Sequence, residues 1–331
     1  MQSKIFMFLY LSVRSMKRLA FIFLFAAMVI VSCGQNKKPQ EKSFDGDYVT
    51  TPEDSVLATE VINSLKQEYL ASGASMSELA ILAGRRLLGN EYVAGTLDGS
   101  DTERLTLYLL KTDCILFAET CANLARAAVN PTYPDNAFYS FADAVRQTRY
   151  RNGVVKNYSD RIHYTTEWIR QAQSNGILED KTKEFGGVVY DHPISFMSNN
   201  IGYYKQISKA AIDSVAAKDL AVIKSVEGKL NQTPQYYIKD VDIVKAEENI
   251  QTGDIIGFMS STEGLDIAHV VLACVTDADG NFVYGPHGKD VKVGFMHASM
   301  ASMKVIIDRQ SIADYATSRK SITGICVARL N

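Results

Sequence analysis

The common zinc-binding motifs are missing from this chain of 331 residues. It contains neither a His-Glu-x-x-His nor a Cys-x-x-Cys segment, and its five histidines are scattered. No motif therefore indicates a metal-dependent enzyme, although scattered histidines could still converge on a metal in the folded chain. The sequence carries no motif for a cofactor, and none is expected.

The chain also has little net charge, few prolines and no low-complexity segment. The net charge is -2, and the chain has seven prolines and an apolar content of 47 %. Without an excess of positive charge the chain is not expected to bind nucleic acid. The apolar content is sufficient for a hydrophobic core. No internal repeat is visible, and we expect a monomer.

Five cysteines are present, namely Cys33, Cys114, Cys121, Cys274 and Cys326. Cys114 and Cys121 are seven residues apart on one predicted helix, about 10 Å along its axis, which is too far for a disulfide bond. Cys274 and Cys326 lie in apolar, strand-like runs and are predicted to be core residues.

The N-terminus has the pattern of a targeting segment. Lys17 and Arg18 precede an apolar run at residues 19–31, which is too short for a typical membrane-spanning helix. The run ends in Ile-Val-Ser-Cys, which is similar to a bacterial lipobox with Cys33 as the lipidated residue. Residues 1–32 are therefore interpreted as a lipoprotein signal peptide, with Met16 as an alternative start. A plain signal peptide and an uncleaved anchor remain the other interpretations.

A polar segment follows the proposed lipidation site. Residues 33–55 begin without apolar periodicity and are predicted to be a flexible tether. The tether would hold a soluble domain, residues 56–331, close to a membrane. We expect a lipid-anchored protein of the bacterial cell envelope that faces the periplasm.

The two halves of this domain differ in their hydrophobic patterns. Helical periodicity dominates as far as Val226, whereas six later runs have the composition of strands: 255–259, 269–276, 282–284, 291–296, 304–308 and 322–328. Helices followed by antiparallel strands indicate the α+β class. No domain boundary is visible within residues 56–331.

Cys114 is predicted to lie in the first turn of a helix, with Asp113 as the N-cap. The partial positive charge of a helix N-terminus favours a thiolate, which is the form of cysteine that attacks amides. A buried structural cysteine, as predicted for Cys121, is the other interpretation.

Two histidines follow in an order that suits nucleophilic catalysis. His269 begins an apolar strand and can serve as a general base. His297 follows the next strand and can hold the imidazole of the base in one tautomer. Taken singly, each could be an ordinary half-buried or loop histidine. No role is predicted for His192 or His287.

Several short segments together resemble a known family. The principal ones are Asn-Glu-Tyr at 90–92, Asp-Cys at 113–114, Gly-Asp-Ile-Ile at 253–256, His-Val-Val at 269–271 and Met-His-Ala-Ser at 296–299. In this order they resemble the NlpC/p60 superfamily of cysteine hydrolases. More specifically, residues from about 75 to the C-terminus are similar to the N-acetylmuramoyl-L-alanine amidase-like family, formerly a domain of unknown function.

The resemblance implies a papain-like fold, with a catalytic helix packed on a C-terminal antiparallel sheet. It implies Cys114 as nucleophile, His269 as base and His297 as the residue that orients the base. Tyr92 would line the nucleophile and, with Asp113, support the site. The implied reaction is hydrolysis of the amide between N-acetylmuramic acid and L-alanine in peptidoglycan fragments, with a preference for 1,6-anhydro-muropeptides.

Substrate-binding residues are predicted from the same resemblance. They are Arg151, His163, Tyr164, Trp168, Met197 and Asp266. The rings of Tyr164 and Trp168 could stack on a sugar, and Asp266 could bind a peptide amine. Alternatively, Trp168 is a core residue at helical spacing from Tyr164.

Departures from the superfamily pattern leave alternatives open. Ile115 follows the cysteine where a small residue is usual, and Val271 replaces a frequent glycine. The gap between His269 and His297 is also longer. The same residues could instead cut γ-D-glutamyl-diaminopimelate bonds, as other superfamily members do, and a lipoprotein that binds muropeptides without cutting them is the non-enzymatic alternative.

Overall fold

The computed structural model describes residues 46–98, 102–200 and 219–331. Residues 44–331 form one unit. The predicted signal peptide, Cys33 and most of the tether lie outside the described residues, as does much of the helix predicted from Ile201. Among the helices that are described, none is long and apolar enough to cross a membrane.

The described helices and strands are interspersed along the chain. They are α1 (Pro52–Ser72), α2 (Met76–Arg86), α3 (Cys114–Val129), α4 (Ala137–Arg149), α5 (Thr165–Ser174), α6 (Phe196–Asn199), α7 (Leu220–Gln232), α8 (Ile243–Ala246) and α9 (Ile312–Thr317). The strands are β1 (Tyr48–Val49), β2 (Glu91–Tyr92), β3 (Leu105–Thr106), β4 (Lys111–Thr112), β5 (Leu178–Asp180), β6 (Val188–Tyr190), β7 (Gln235–Lys239), β8 (Ile255–Ser260), β9 (Ile267–Thr276), β10 (Lys292–Ser299), β11 (Lys304–Ile307) and β12 (Ile322–Leu330).

Ten of these strands form one mixed sheet in the described part of the chain. Its order is β4-β2-β11-β10-β9-β8-β12-β7-β6, and β5 also pairs with β12. The central pairs are antiparallel, whereas β2 and β4 pair in parallel at one edge. The α+β class is therefore confirmed. The expected division into a helical half and a sheet half is only approximate, because strands from the first half complete both edges.

Strand β9 divides two hydrophobic cores, because successive side chains of a strand point to opposite faces. Val270, Leu272 and Cys274 belong to the core that contains residues of α1 to α5. Val271 and Ala273 belong to a second core, which α8 and α9 cover. The catalytic helix predicted at Cys114, α3, packs against β9 and β10.

Two predicted elements differ in the structure. Residues 282–284 are not a strand, because only Phe282 makes an isolated bridge to Thr276. Strand β10 extends to Ser299, so His297 lies within the strand instead of after it. Sequence periodicity missed this extension because the three added residues include a polar side chain that the protein buries.

Candidate active site

Cys114 is the first residue of α3, as predicted. The side chain of Asp113 caps this helix by accepting a hydrogen bond from the backbone N–H of Leu116 at 3.0 Å. The residue Cys114 is partly exposed, whereas the other three described cysteines are buried. All four are free thiols. Among the described cysteines, only Cys114 is therefore open to a molecule from solution.

The electrostatic surroundings of this thiol differ from the prediction. The backbone N–H groups of Val270, Ile115 and Cys114 itself favour the thiolate. Burial outweighs them and, together with the carboxylate of Asp113, raises the pKa of the thiol to about 12. The prediction of a lowered pKa is therefore wrong for the resting site. The thiol is held neutral, so a base must remove its proton during attack.

A β-bulge positions the predicted base. Phe258 pairs with His269 and Met259 pairs with Ile267, which leaves Ala268 as an extra residue in β9. Bulges kink a strand and redirect the side chains beside them. His269 directly precedes Val270, whose backbone N–H faces the Cys114 thiol. The bulge therefore lies beside the point where β9 meets the Cys114 thiol.

The two predicted histidines are in contact. Nε2 of His269 lies 2.6 Å from Nδ1 of His297. His297 is buried, with 2 % of its surface exposed, and its Nε2 lies 3.3 Å from Oδ2 of Asp308. Asp308 was not predicted from the sequence. The available signal was an acidic residue at the end of the predicted strand that follows the strand before His297.

Both histidines are poised in the neutral form. Burial, followed by the neighbouring His297 and Arg319, lowers the pKa of His269 to about 3. Burial also lowers the pKa of His297 to about 4, against the opposing effect of Asp308. Tyr315 of α9 stacks on the ring of His269 with centroids 5.9 Å apart and so helps to exclude water. A neutral imidazole can accept a proton, as the neutral thiol requires.

Tyr92 lies on the strand beside the segment that leads into the nucleophile. It pairs with Thr112 across the parallel β2–β4 edge, two residues before Cys114. Its side chain is half-buried. This placement suits the predicted role of Tyr92 next to the nucleophile.

Four of the six predicted substrate-binding residues are buried and bonded internally. The hydroxyl of Tyr164 donates to Glu227 and accepts from the backbone N–H of Met197. The indole N–H of Trp168 donates to Glu119 of α3 at 3.3 Å. The Asp266 carboxylate accepts the backbone N–H of Thr166 at 2.7 Å, and all four residues are at most 4 % exposed. In this arrangement they connect the segment after α4 to the catalytic helix and the sheet, and a sugar could not stack on them.

The other two predicted residues are half-buried. Arg151 forms an ion pair with Glu167. His163 makes a hydrogen bond to the carbonyl of Tyr158 at 2.9 Å, and burial holds its pKa well below the usual range. Within the described part of the chain, neither residue has a contact that joins it to His269 or His297.

A buried ion pair supports helix α3, which begins at Cys114. Arg149 of α4 meets Glu119 of α3 at 2.6 Å, and both side chains are at most 6 % exposed. Thr148 and Trp168 also donate to the Glu119 carboxylate. Sequence reasoning missed this pair because its partners are 30 residues apart.

No group of three or more histidine, cysteine or carboxylate side chains that could hold a metal ion occurs within residues 46–98, 102–200 and 219–331. The candidate site instead combines a thiol at a helix N-terminus with two neutral histidines that contact each other. These are the groups that a thiol-dependent hydrolase uses.

Comparison with known proteins gives the family. The profile of the N-acetylmuramoyl-L-alanine amidase-like family matches residues 82–325, and the chain belongs to this family. The match includes all three of Cys114, His269 and His297. A search of curated proteins finds no match.

Several solved structures are similar to this chain. An N-acetylmuramoyl-L-alanine amidase from Bacteroides uniformis is 27 % identical, with a TM-score of 0.63, and the match covers 78 % of this chain and all of that one. A Bacteroides fragilis protein with a provisional assignment as a xylanase is 28 % identical, with a TM-score of 0.62 over 74 % of this chain and 98 % of that one. A Legionella pneumophila protein that is 19 % identical has the same fold, with a TM-score of 0.55 over 84 % of this chain and 96 % of that one.

Proposed function

We propose that this protein is a peptidoglycan amidase that hydrolyses the amide between N-acetylmuramic acid and L-alanine. The observation that carries the proposal is the contact between His269 and His297, together with the backbone N–H of Val270, the residue after His269, that faces the thiol of the partly exposed Cys114. The family assignment supports the substrate class. The preferred sugar is the 1,6-anhydro form, as the resemblance implies.

The proposed reaction proceeds through a thioester. His269 takes the proton of the Cys114 thiol as the sulfur attacks the lactyl carbonyl. The oxyanion accepts hydrogen bonds from the backbone N–H of Cys114 and from Tyr92. The proton on His269 then passes to the leaving amine of L-alanine, and the acyl group remains on sulfur. Water hydrolyses the thioester, with His269 again acting as base, and restores the thiol.

The proposed fold relationship is to the papain-like NlpC/p60 hydrolases. A nucleophile at the start of α3, packed on a mainly antiparallel sheet that carries the two histidines, supports it. The xylanase assignment of one structural neighbour would require a pair of carboxylates on either side of a glycosidic bond. A thiol and two neutral histidines are instead groups that acyl transfer uses.

Product analysis tests the scissile bond. The full-length protein would be incubated with a 1,6-anhydro-muropeptide and, separately, with the reducing form of the same muropeptide. Mass spectrometry is expected to show the intact stem peptide and the free anhydro sugar, with slower release from the reducing form. A shortened muropeptide would contradict the amidase assignment and indicate an endopeptidase. Equal rates on the two substrates would remove the anhydro preference.

The pH dependence of this reaction follows from the lowered histidine pKa values. The base acts when neutral, and burial keeps the pKa of His269 at about 3 and that of His297 at about 4. Because both remain neutral at pH 5, the acid limb of kcat/KM is expected below pH 5, instead of near the unperturbed value of about 6.5. A profile measured from pH 3.5 to 9 checks this, and an acid limb at pH 6–7 would contradict it.

Thermal melting at each pH supplies the control. The unfolded chain takes up protons on these histidines below about pH 6.5, whereas the folded chain does not until lower pH. The two histidines therefore stabilise the fold less as the pH falls. Rates are compared only where the protein remains folded.

We further propose that Cys33 carries a lipid and tethers residues 56–331 to the bacterial envelope, facing the periplasm. The lipobox-like segment before Cys33 and the polar tether behind it support this. A monomeric, anchored enzyme would encounter muropeptides released from the wall beside the membrane.

A further inference from the structure

We propose that Asp308 is a positioning residue that extends the site to Cys114–His269–His297–Asp308, by fixing the tautomer of His297. The inference rests on the proposed function and deepens it. Asp308 acts through His297 and does not touch the substrate.

The strand register places Asp308 on the same side of the sheet as His297. His297 pairs with Ile306 across β10 and β11. Asp308 is two residues beyond Ile306, and its backbone N–H bonds to the carbonyl of Phe295. Side chains two residues apart on a strand share a face, so the carboxylate of Asp308 is a diagonal neighbour of His297. Its Oδ2 accordingly lies 3.3 Å from Nε2 of His297.

The carboxylate is itself held in place. Its Oδ1 accepts a hydrogen bond from the backbone N–H of Gln310 at 2.8 Å, which leaves Oδ2 for His297. The Asp308 side chain is only 17 % exposed. The contact with His297 is at ion-pair distance but poorly aligned for a hydrogen bond, since Nε2 of His297 has no hydrogen-bond partner in the described part of the chain. Such contacts often align only when substrate binds.

The role of Asp308 follows from which ring nitrogen of each histidine carries the proton. Nε2 of His269 is engaged with His297, so Nδ1 is the nitrogen left to receive the thiol proton. His269 must then carry its own proton on Nε2 and donate it to an unprotonated Nδ1 of His297. The proton of His297 is therefore on Nε2, the ring nitrogen that lies nearer to Asp308. The opposite tautomer of His297 would place a proton on Nδ1 of His269 and block acceptance from the thiol.

The other groups around His297 do not select this tautomer. Phe295 and Tyr315 pack edge-on against its ring with centroids 4.9 and 6.2 Å away. Arg319 lies over the ring of Tyr315 and opposes a positive charge on both histidines. Of the groups described around His297, Asp308 is the one that favours a proton on Nε2.

Two measurements test the proposal. Nitrogen NMR of protein with ¹⁵N-labelled histidine, assigned with a His297→Asn variant, is expected to show wild-type His297 protonated on Nε2. In Asp308→Asn, the amide can donate to Nε2, and the proton is expected on Nδ1 instead. The same variant is expected to lower kcat at least about tenfold with KM nearly unchanged, because the tautomer governs proton transfer and not binding. Asp290→Asn, which removes an exposed carboxylate elsewhere in the protein, is the matched control. It should change neither the tautomer of His297 nor kcat.

Each outcome decides the proposal. Wild-type His297 protonated on Nδ1 would overturn it, even if Asp308→Asn fails to fold. So would an Asp308→Asn variant with wild-type kcat and tautomer. If the wild type hydrolyses no muropeptide but shows the expected tautomer and its loss in Asp308→Asn, the proposed function fails while the positioning role stands.

Discussion

Replacing Cys114 with alanine is expected to reduce muropeptide hydrolysis by about 10⁴-fold or more, because the reaction would lose its nucleophile. The remaining histidines cannot attack through the same path, since His269 only moves the thiol proton in the proposed mechanism. The fold should persist, because Cys114 is a partly exposed side chain at the first position of α3, and the Asp113 cap is retained. Release of stem peptide, followed by mass spectrometry, measures the loss.

Cys121→Ala is the matched control for this prediction. Cys121 lies on the same helix, but it is fully buried, and burial raises the pKa of its thiol. Its replacement is expected to cost some stability through lost packing and to leave kcat/KM within a few-fold of wild type. Iodoacetamide should label Cys114 and spare Cys121 in the folded protein. Full activity of Cys114→Ala would refute the thiol mechanism.

Removing the charge of Glu119 is expected to produce the largest loss of stability. In Glu119→Gln the guanidinium of Arg149 stays buried without its carboxylate, and breaking such a pair costs about 3–5 kcal/mol. For a domain of this size, that corresponds to a fall in Tm of roughly 10 °C. Differential scanning calorimetry measures the shift. Residual activity well below the new Tm should be substantial, because Glu119 supports α3 from behind and does not touch the reacting groups.

An exposed ion pair provides the comparison. Asp47 meets Arg104 at 2.8 Å, but the Asp47 side chain is 79 % exposed. Asp47→Asn is expected to lower stability by at most about 1 kcal/mol, since water solvates both partners once they separate. Equal shifts in Tm for Glu119→Gln and Asp47→Asn would show that burial does not set the strength of the Glu119–Arg149 pair.

Much of the local structure could be predicted from neighbouring residues. The cap of Asp113 on α3 and the strand character of β9 depend on interactions within a few positions, and both are confirmed. The burial of Cys274 and Cys326 also follows from the apolar runs around them, and it is confirmed. Strand β10 was placed correctly but ended too early, because a buried histidine interrupts the apolar pattern.

The predicted substrate contacts show the limit of this reasoning. A tryptophan and a tyrosine in one helical segment are typical both of a sugar-binding surface and of a hydrophobic core. Trp168 and Tyr164 are held inside by Glu119 and Glu227, which are 49 and 63 residues away. Sequence spacing contains no information about such distant partners, so it could not separate the two interpretations. We propose a supporting role for both residues.

The sequence by itself determined the α+β class, the start of the helix at Cys114 and the order of nucleophile and histidines, because each depends on local pattern. Only the tertiary structure decided that the thiol is neutral, that His269 contacts His297, and that Asp308 lies behind them. The physical reason is that pKa values and proton positions depend on burial and on neighbours brought together from distant strands. The sequence therefore identified the candidate residues, and the fold determined the environment that sets their protonation.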